Sequence, residues 1–195
     1  MRRVRTAVFV SGRGSNLDAL LAAAKDPAYP AEIVLAVSNN PDAGGLDKAR
    51  AVDVPTAVFD HRLHKGDREA HERAIDNALK AAEVELIALA GYMRVLTPWL
   101  VDEWQGRMIN IHPSLLPLLP GLHTHARALA EGHKTHGCTV HWVTAGVDEG
   151  PIVGQAVVEV LPGDDEDALT ARVLEAEHRL YPECLAKAAL VVRER

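Results

Sequence analysis

The apolar run INIHPSLLPLLPG, residues 109–121, contains two polar side chains, Asn110 and His112, that could do chemistry. Residues two apart in a β-strand point to the same face, so Asn110 and His112 are predicted to project together. Ile109 and Ile111 are predicted to face the other way, into a core. Burying either polar group without a partner costs about 1–3 kcal/mol. The pair is therefore predicted to meet either a structural hydrogen-bond partner or a substrate.

A third polar residue, Asp148, lies in the segment AGVDEG between two predicted strands. A carboxylate beside His112 would favour the imidazolium form of the ring. With Asn110, these groups could stabilise a developing oxyanion and move a proton. The sequence has no GxSxG elbow and no well-placed cysteine nucleophile, so direct acyl transfer to an incoming nucleophile is favoured. From spacing alone, the alternative is a hydrogen-bonded strand-end histidine and an ordinary turn aspartate.

A glycine-rich loop in VFVSGRGSNLDALL places Gly12 and Gly14 between a predicted strand and a predicted helix. The free N–H groups and the dipole of a helix N-terminus favour an anion there. A dinucleotide site needs a third glycine, where this chain has Leu17, and an acid after the second strand, where it has SNN. The loop is predicted to bind one phosphate, with Ser15 and Asn16 as side-chain donors. The alternative is a plain strand-to-helix turn.

The chain has ten histidines, which raises the question of a metal site. Candidate pairs are His61 with His64 and His123 with His125. Neither pair is accompanied by an HExxH helix or by paired cysteines, so no metal is predicted.

Composition favours one globular domain over residues 1–195, since 48% of the residues are hydrophobic and 25% are charged. The net charge of −6 provides no global basic field for nucleic acid. No signal peptide and no apolar stretch long enough to cross a bilayer is present. Cys138 and Cys184 lie far apart, which disfavours a disulfide framework and indicates a reducing cytoplasm.

Short apolar segments alternate with alanine-rich amphipathic segments along most of the chain. The predicted strands are VRTAVFV, AEIVLAVS, TAVF, VELIALA and RMINIH; the predicted helices are Ser15–Lys25, Gly45–Ala51, DREAHERAIDNALKAA, PWLVDEW and HTHARALAEG. This βαβα alternation predicts a doubly wound, mostly parallel Rossmann-like α/β sheet. GCTVHWVT and PIVGQAVVEV predict a C-terminal antiparallel hairpin. The final helix, DEDALTARVLEAEHRLYPECLAKAALVV, is predicted to bend at Pro182.

Ligand sites of open α/β sheets lie beyond the carboxyl ends of the strands. The segments that follow the predicted strands should therefore share one rim. They are SGRGSN, SNNPD, FDHRLH, GYMRVL and INIHPSLLP.

Seven segments occur in order between about Val4 and Tyr181: SGRGSNL, LAGYMRVL, INIHPSLLP, PGLHTHARAL, GCTVHWV, DEGPIVGQ and TARVLEAEH. Together they resemble the phosphoribosylglycinamide formyltransferases, which are folate-dependent enzymes of purine synthesis. The resemblance implies the formyltransferase fold and a cytoplasmic enzyme without a metal. It implies glycinamide ribonucleotide as acceptor and 10-formyltetrahydrofolate as formyl donor, with no nucleic-acid or membrane partner. Either a monomer or a homodimer is expected.

The resemblance also implies residue roles. The catalytic trio would be Asn110, His112 and Asp148. The ribonucleotide would be bound through its phosphate by Gly14, Ser15 and Asn16 and through its ribose by Glu177. The folate would be bound by Arg68, Met93, Arg94, Val95, Leu96 and Asn110. The family commonly has a lysine and an aromatic residue after SLLP, where this chain has Leu118 and Leu119; the contacts of that lysine are not carried over.

The implied mechanism is direct attack of the glycinamide amine on the formyl carbon. Asn110 and protonated His112 would donate to the oxyanion of the tetrahedral intermediate. Asp148 would keep His112 charged and oriented, and would help pass the amine proton to the folate nitrogen.

Three rival functions remain open at this stage. Formyltetrahydrofolate deformylase shares the core but usually has an extra N-terminal domain, whereas this chain begins at the first predicted strand. Methionyl-tRNA formyltransferase adds a C-terminal RNA-binding domain, whereas this acidic chain ends after one helical stretch. A phosphate-ligand binding module without catalysis is the third, and it gives no reason for an Asn, His and Asp to occur together.

Overall fold

The computed structural model describes residues 2–195, and Met1 lies outside the described residues. Seven strands form one sheet in the order β3-β2-β1-β4-β5-β6-β7. The strands are β1 (Val4–Val10), β2 (Ala31–Ser38), β3 (Thr56–Val58), β4 (Leu86–Leu89), β5 (Met108–His112), β6 (Thr135–Trp142) and β7 (Ile152–Glu159). Strands β1 to β5 pair in parallel, whereas β6 runs antiparallel to both β5 and β7. The predicted fold class, a mostly parallel doubly wound sheet with a C-terminal antiparallel hairpin, is confirmed.

Helices cover both faces of this sheet. They are α1 (Ser15–Ala24), α2 (Gly44–Arg50), α3 (Arg68–Ala81), α4 (Pro98–Glu103), α5 (Thr124–Ala130) and α6 (Glu166–Arg193), with a short 3₁₀ helix at His61–His64. The side chains of Asp67 and Asp165 cap α3 and α6 by accepting backbone N–H bonds from Ala70 and Ala168. These caps satisfy N–H groups that lack a partner within their own helix.

The alternation of side chains along β1 separates two hydrophobic cores. Val8 and Val10 face the core that is completed by α1, α2, α5 and α6. Ala7 and Phe9 face the core that is completed by α3 and α4. Strands that are buried on both faces carry continuous apolar runs, which is why β1 and β2 were readable from the sequence.

The bounds of β4 and the continuity of α6 can be compared with the sequence-based expectation. Strand β4 is shorter than VELIALA, because it starts at Leu86 and ends at Leu89. Helix α6 continues through Pro182 as one element, and the bend expected there stays a prediction. The carbonyl oxygen of Pro182 accepts a hydrogen bond of 2.6 Å from the Tyr29 hydroxyl, which ties α6 to the segment before β2.

None of the helices within residues 2–195 combines the length and the apolar composition that a bilayer span requires.

Candidate active site

The loops that follow β1, β2 and β4 meet at one edge of the sheet. The Ser11 hydroxyl donates to Asn39 Oδ1 over 2.5 Å and accepts from the Met93 amide over 2.8 Å. Asn39 Nδ2 lies 3.2 Å from His61 Nδ1, which brings the loop after β3 to the same edge. The structure therefore brings the predicted rim together by hydrogen bonds between neighbouring loops.

A cavity of about 690 Å³ opens at this rim. This volume lies within the range of about 300–1,000 Å³ that is usual for small-molecule sites. Its wall includes Asn16, Met93, Asn110, His112, Asp148 and Glu177. Residues from β5, from the first turn of α1, from the segment after β4, from the β6–β7 connection and from α6 thus share one cavity.

Strand β5 places Asn110 and His112 on the same face, as the sequence predicts. Ile109 and Ile111 lie in the core on the opposite face. His112 is buried, and its ring nitrogens both face oxygen atoms. Nδ1 is 3.4 Å from Asp148 Oδ2, and Nε2 is 3.0 Å from the Leu119 carbonyl oxygen. Because both oxygens are acceptors, the doubly protonated ring is the form that can donate to both.

Asp148 lies between two histidines at the end of the cavity. Its Oδ1 is 3.6 Å from His141 Nε2, and its Oδ2 accepts a hydrogen bond of 2.9 Å from the Gly121 amide. Burial acts to raise the pKa of Asp148, but His141, the Gly121 amide and the charge of His112 outweigh it and lower the pKa. Asp148 is therefore a carboxylate at neutral pH, well suited to orient a cationic His112.

His141 is a residue of the site that the sequence reasoning missed. It pairs directly with Asn110 across the β5–β6 ladder. Asn110 Nδ2 is 3.2 Å from His141 Nε2, and His141 Nδ1 is 3.0 Å from the Trp142 carbonyl oxygen. His141 Nε2 therefore faces both the Asn110 amide and the Asp148 carboxylate, so this ring joins two residues of the predicted trio. The sequence shows His141 within the predicted strand GCTVHWV. It does not show the antiparallel register that places this residue opposite Asn110.

The glycine loop brings the start of α1 against the start of α2. Gly14 has φ = 71°, and a Cβ at this position would lie 2.6 Å from Gly45 Cα. The Gly45 amide also donates to the Gly12 carbonyl oxygen over 3.0 Å. A side chain at position 14 has no room, so the close approach of the two helices requires glycine there.

Asn16 and Glu177 form a buried polar pair next to this loop. Asn16 Nδ2 donates a hydrogen bond of 2.7 Å to Glu177 Oε2. The side chain predicted to donate to the phosphate therefore contacts the residue predicted to bind the ribose. Burial raises the pKa of Glu177 to about 7, although the bond from Asn16 acts in the opposite direction. Both side chains line the cavity, whereas Gly14 and Ser15 lie in the adjacent turn outside its wall.

The predicted folate residues divide into two groups. Met93, Arg94 and Val95 line the cavity. Leu96 instead packs against the core of α3 and α4. Arg68 is the first residue of α3, is exposed and does not form part of the cavity wall.

The segment after SLLP crosses over His112. Leu118 is 53% exposed, whereas Leu119 is 7% exposed and has φ = 53°. The Leu119 side chain joins the core, and its carbonyl oxygen is the one that faces His112 Nε2. At the two positions where a lysine and an aromatic residue are common, this chain thus has one solvent-facing and one core-facing leucine.

The histidine pairs considered for a metal have other contacts. His61 Nδ1 is within hydrogen-bond distance of Asn39, and His64 stacks edge-on against His71. His125 Nδ1 lies 3.1 Å from His136 Nε2. Within residues 2–195, no group of three or more His, Cys, Asp or Glu side chains is arranged to hold a metal ion.

Residues 4–185 match the formyl transferase family. The chain belongs to the formyl transferase family. It is 43% identical over 180 residues to the phosphoribosylglycinamide formyltransferase of Escherichia coli, a match that covers 90% of this chain and 82% of that protein. The family that the seven sequence segments indicated is confirmed.

A crystal structure of phosphoribosylglycinamide formyltransferase from Brucella melitensis has the same fold as this family member, with a TM-score of 0.92, 54% identity and 96% of each chain covered. The trifunctional purine biosynthetic protein adenosine-3 of Drosophila melanogaster is 50% identical over 187 residues. That match covers 95% of this chain but 14% of the trifunctional protein, so the chain corresponds to a small part of it.

Proposed function

We propose that this protein transfers the formyl group of 10-formyltetrahydrofolate to the amine of glycinamide ribonucleotide. The observation that carries the proposal is the convergence of Asn110, His112 and Asp148 on one cavity that also reaches Asn16 and Glu177. Relatives that are named for this reaction cover most of the chain.

In the proposed reaction the amine nitrogen attacks the formyl carbon and forms a C–N bond. The carbonyl π electrons move to oxygen, which gives a tetrahedral intermediate. The amine proton then passes to the folate nitrogen, and the bond from that nitrogen to the formyl carbon breaks as the carbonyl re-forms. Formylated ribonucleotide and tetrahydrofolate leave.

Two donors are available for the oxyanion. The Asn110 amide has two N–H groups, of which one is directed at His141, so the second can reach a substrate oxygen. His112 Nε2 donates to the Leu119 carbonyl oxygen in this structure, and the formyl oxygen would replace that acceptor. N–H donors that are fixed before the reaction stabilise developing charge without reorganisation. These donors make a metal ion unnecessary in the proposed step.

We assign the ribonucleotide to the glycine loop and the folate to the side of Met93–Leu96. The Gly14–Asn16 turn would bind the phosphate at the start of α1, and Glu177 would accept from the ribose hydroxyls. The backbone and side chains of Met93, Arg94 and Val95 would contact the folate. Both cysteines are free and buried, which supports the expectation of a reducing cytoplasm. A monomer or a homodimer remains our expectation.

The test is to follow the conversion of 10-formyltetrahydrofolate to tetrahydrofolate spectroscopically, with and without glycinamide ribonucleotide. Turnover that requires the ribonucleotide is the expected result. Turnover at the same rate without it would instead establish a deformylase. Tight ribonucleotide binding without turnover would favour the phosphate-ligand binding module.

A further inference from the structure

Glu72 is a buried acid at the rim to which the sequence assigned no role. It is 3% exposed and lies in the second turn of α3. Its carboxylate accepts two hydrogen bonds from one residue of another element: Oε1 accepts from the Thr97 amide over 2.8 Å, and Oε2 accepts from the Thr97 hydroxyl. Thr97 is the N-cap position of α4, yet its side chain makes no cap bond to its own helix. Its hydroxyl is used on Glu72 instead.

This contact fixes one end of the segment that we assign to the folate, Met93–Leu96. Thr97 directly follows Leu96, so Glu72 fixes the point at which the segment Met93–Leu96 enters α4. The other end is held by the Met93 amide, which donates to the Ser11 hydroxyl over 2.8 Å. The segment itself has no regular secondary structure. These two anchors and the packing of Leu96 against the core therefore hold its shape, in place of a helix or a sheet ladder.

Glu72 also connects the two separate parts of the predicted folate site. It lies one turn after Arg68 on α3, and residues four apart share a helix face. Burial raises the pKa of Glu72, while the Thr97 hydrogen bonds and the guanidinium groups of Arg68 and Arg94 act in the opposite direction. The same carboxylate thus lies within electrostatic reach of an arginine from each part.

We propose that Glu72 is a positioning residue for the formyl donor: through Thr97 it fixes the Met93–Leu96 segment relative to the helix that carries Arg68. The inference rests on the proposed function, because it assumes that this segment binds the folate. Glu72 does not line the cavity and acts on the ligand only through the elements that it joins.

The test compares Glu72→Ala with Glu72→Gln. Alanine removes both acceptors, whereas glutamine keeps an acceptor for the Thr97 amide and adds an N–H group that can donate to the Thr97 hydroxyl. For Glu72→Ala we expect the KM for 10-formyltetrahydrofolate to rise about tenfold, as for the loss of a charge-assisted hydrogen bond. The KM for the ribonucleotide and kcat should stay within about twofold of wild type. Glu72→Gln should recover most of the loss.

Two further variants sharpen the result. Glu69→Ala is the matched control, since Glu69 is exposed on the same helix and pairs with Arg73 at the surface; both KM values should be unchanged. Thr97→Val keeps the backbone donor and removes the hydroxyl. Combined with Glu72→Ala, it should add little, because both changes remove the same contact.

The outcomes separate this inference from the proposed function. A parallel rise of both KM values, or a lower Tm with unchanged KM values, would reduce Glu72 to a structural residue and overturn the inference. If wild type forms no product, calorimetric binding of 10-formyltetrahydrofolate replaces KM as the readout. Weaker binding by Glu72→Ala would then support the inference although the proposed reaction had failed. Absence of binding to wild type, or equal binding by both proteins, would overturn the inference.

Discussion

His112 has surroundings that constrain its protonation and its orientation together. Asp148 faces one ring nitrogen and the Leu119 carbonyl faces the other, so the ring is held between two acceptors in a buried position. An imidazolium in this setting can donate from Nε2 to an oxyanion while Nδ1 stays directed at the carboxylate. This arrangement explains why a histidine is placed at the end of a strand whose core face is apolar.

Replacement of His112 by alanine should lower kcat by about 10²–10⁴-fold, because it removes a donor that we propose for the oxyanion, together with the ring that Asp148 faces. The KM values should change little, since neither substrate is assigned to His112 for binding. Steady-state kinetics together with circular dichroism measures both the rate and the fold. His133→Ala is the control, because His133 is partly exposed and pairs with Glu131 at the surface. Wild-type turnover by the His112 variant would remove this residue from the mechanism.

Asp148→Asn tests the charge behind His112 without changing the backbone. Asp148 has φ = 56°, a left-handed conformation that asparagine tolerates better than most residues. The amide oxygen can still accept from the Gly121 N–H group, so the loop should keep its position. We expect kcat to fall by about 10²-fold or more, because a neutral amide no longer favours the charged imidazole. An unchanged kcat across pH 6–9 would show that the carboxylate does not act on His112.

At the scale of single residues, sequence reasoning succeeded where local periodicity decides the outcome. The two-residue spacing in β5 was sufficient to place Asn110 and His112 on one face. It could not place His141, because its contact with Asn110 depends on a strand register that is set by long-range packing. Nor could it separate Arg68 from the cavity wall, since the direction of an exposed side chain at a helix start is not encoded by spacing.

At the scale of elements, the site depends on how closely α1 and α2 approach. Gly14 in α1's entry turn meets Gly45 in the first turn of α2, and a methyl group would lie 2.6 Å from the Gly45 backbone. The neighbouring Gly12 has no atom within 4 Å of an added Cβ. The same loop therefore contains one glycine that is required and one that is not, which offers a matched pair of variants.

Gly14→Ala should displace the glycine loop, because the clash is with backbone atoms and the positive φ adds strain of about 1 kcal/mol or more. We expect a lower Tm and a KM for glycinamide ribonucleotide that is raised at least roughly tenfold, with a smaller change for the folate. Gly12→Ala should resemble wild type in both measurements. Differential scanning calorimetry and initial-rate kinetics provide the comparison. Equal effects of the two substitutions would contradict the assignment of a tight approach to Gly14.

The element boundaries show which physical signals a sequence carries. Strands β1 and β2 match their predicted limits, because a run of buried apolar residues ends where the chain leaves the sheet. The antiparallel pairing of β6 with β7 followed from the short connection between them. The antiparallel pairing of β6 with β5 did not, because α5 separates these strands along the chain and helical connections are typical of parallel neighbours.

At the scale of the whole molecule, stability at neutral pH is a balance of buried groups that titrate in opposite directions. Burial lowers the pKa of His136 to about 4, and the neighbouring His125 acts in the same direction. A histidine whose folded pKa is lowered makes the protein less stable as the pH falls from about 6.5 toward 4. Glu177 has the opposite shift, since burial raises its pKa to about 7. Its contribution is greatest at low pH and is lost as the pH rises.

Glu177→Gln isolates the second of these titrations. Between about pH 4.5 and 7 the folded wild type binds a proton at Glu177 that the unfolded chain releases, so the stabilisation is complete below 4.5 and is lost as the pH rises through 7. Glutamine is neutral at every pH, so the variant has no such stabilisation to lose as the pH rises. The Tm of the variant minus that of wild type should therefore increase from pH 4.5 to 8, on the order of 5–10 °C, at about 1.4 kcal/mol per pKa unit.

Because this comparison is a difference between two proteins, the titrations of His136 and of the other histidines cancel. Glu175→Gln is the matched control, since Glu175 lies on the same helix but is exposed; its Tm difference from wild type should not vary with pH. A flat profile for Glu177→Gln would show that Glu177 stays ionised in the folded protein, with Asn16 compensating for its burial. The same carboxylate would then be available at neutral pH as an acceptor for ribose hydroxyls. A rising profile would instead predict, under the proposed assignment of the ribose to Glu177, that ribonucleotide binding is linked to the loss of a proton from this carboxyl, because hydroxyl donors favour the ionised form.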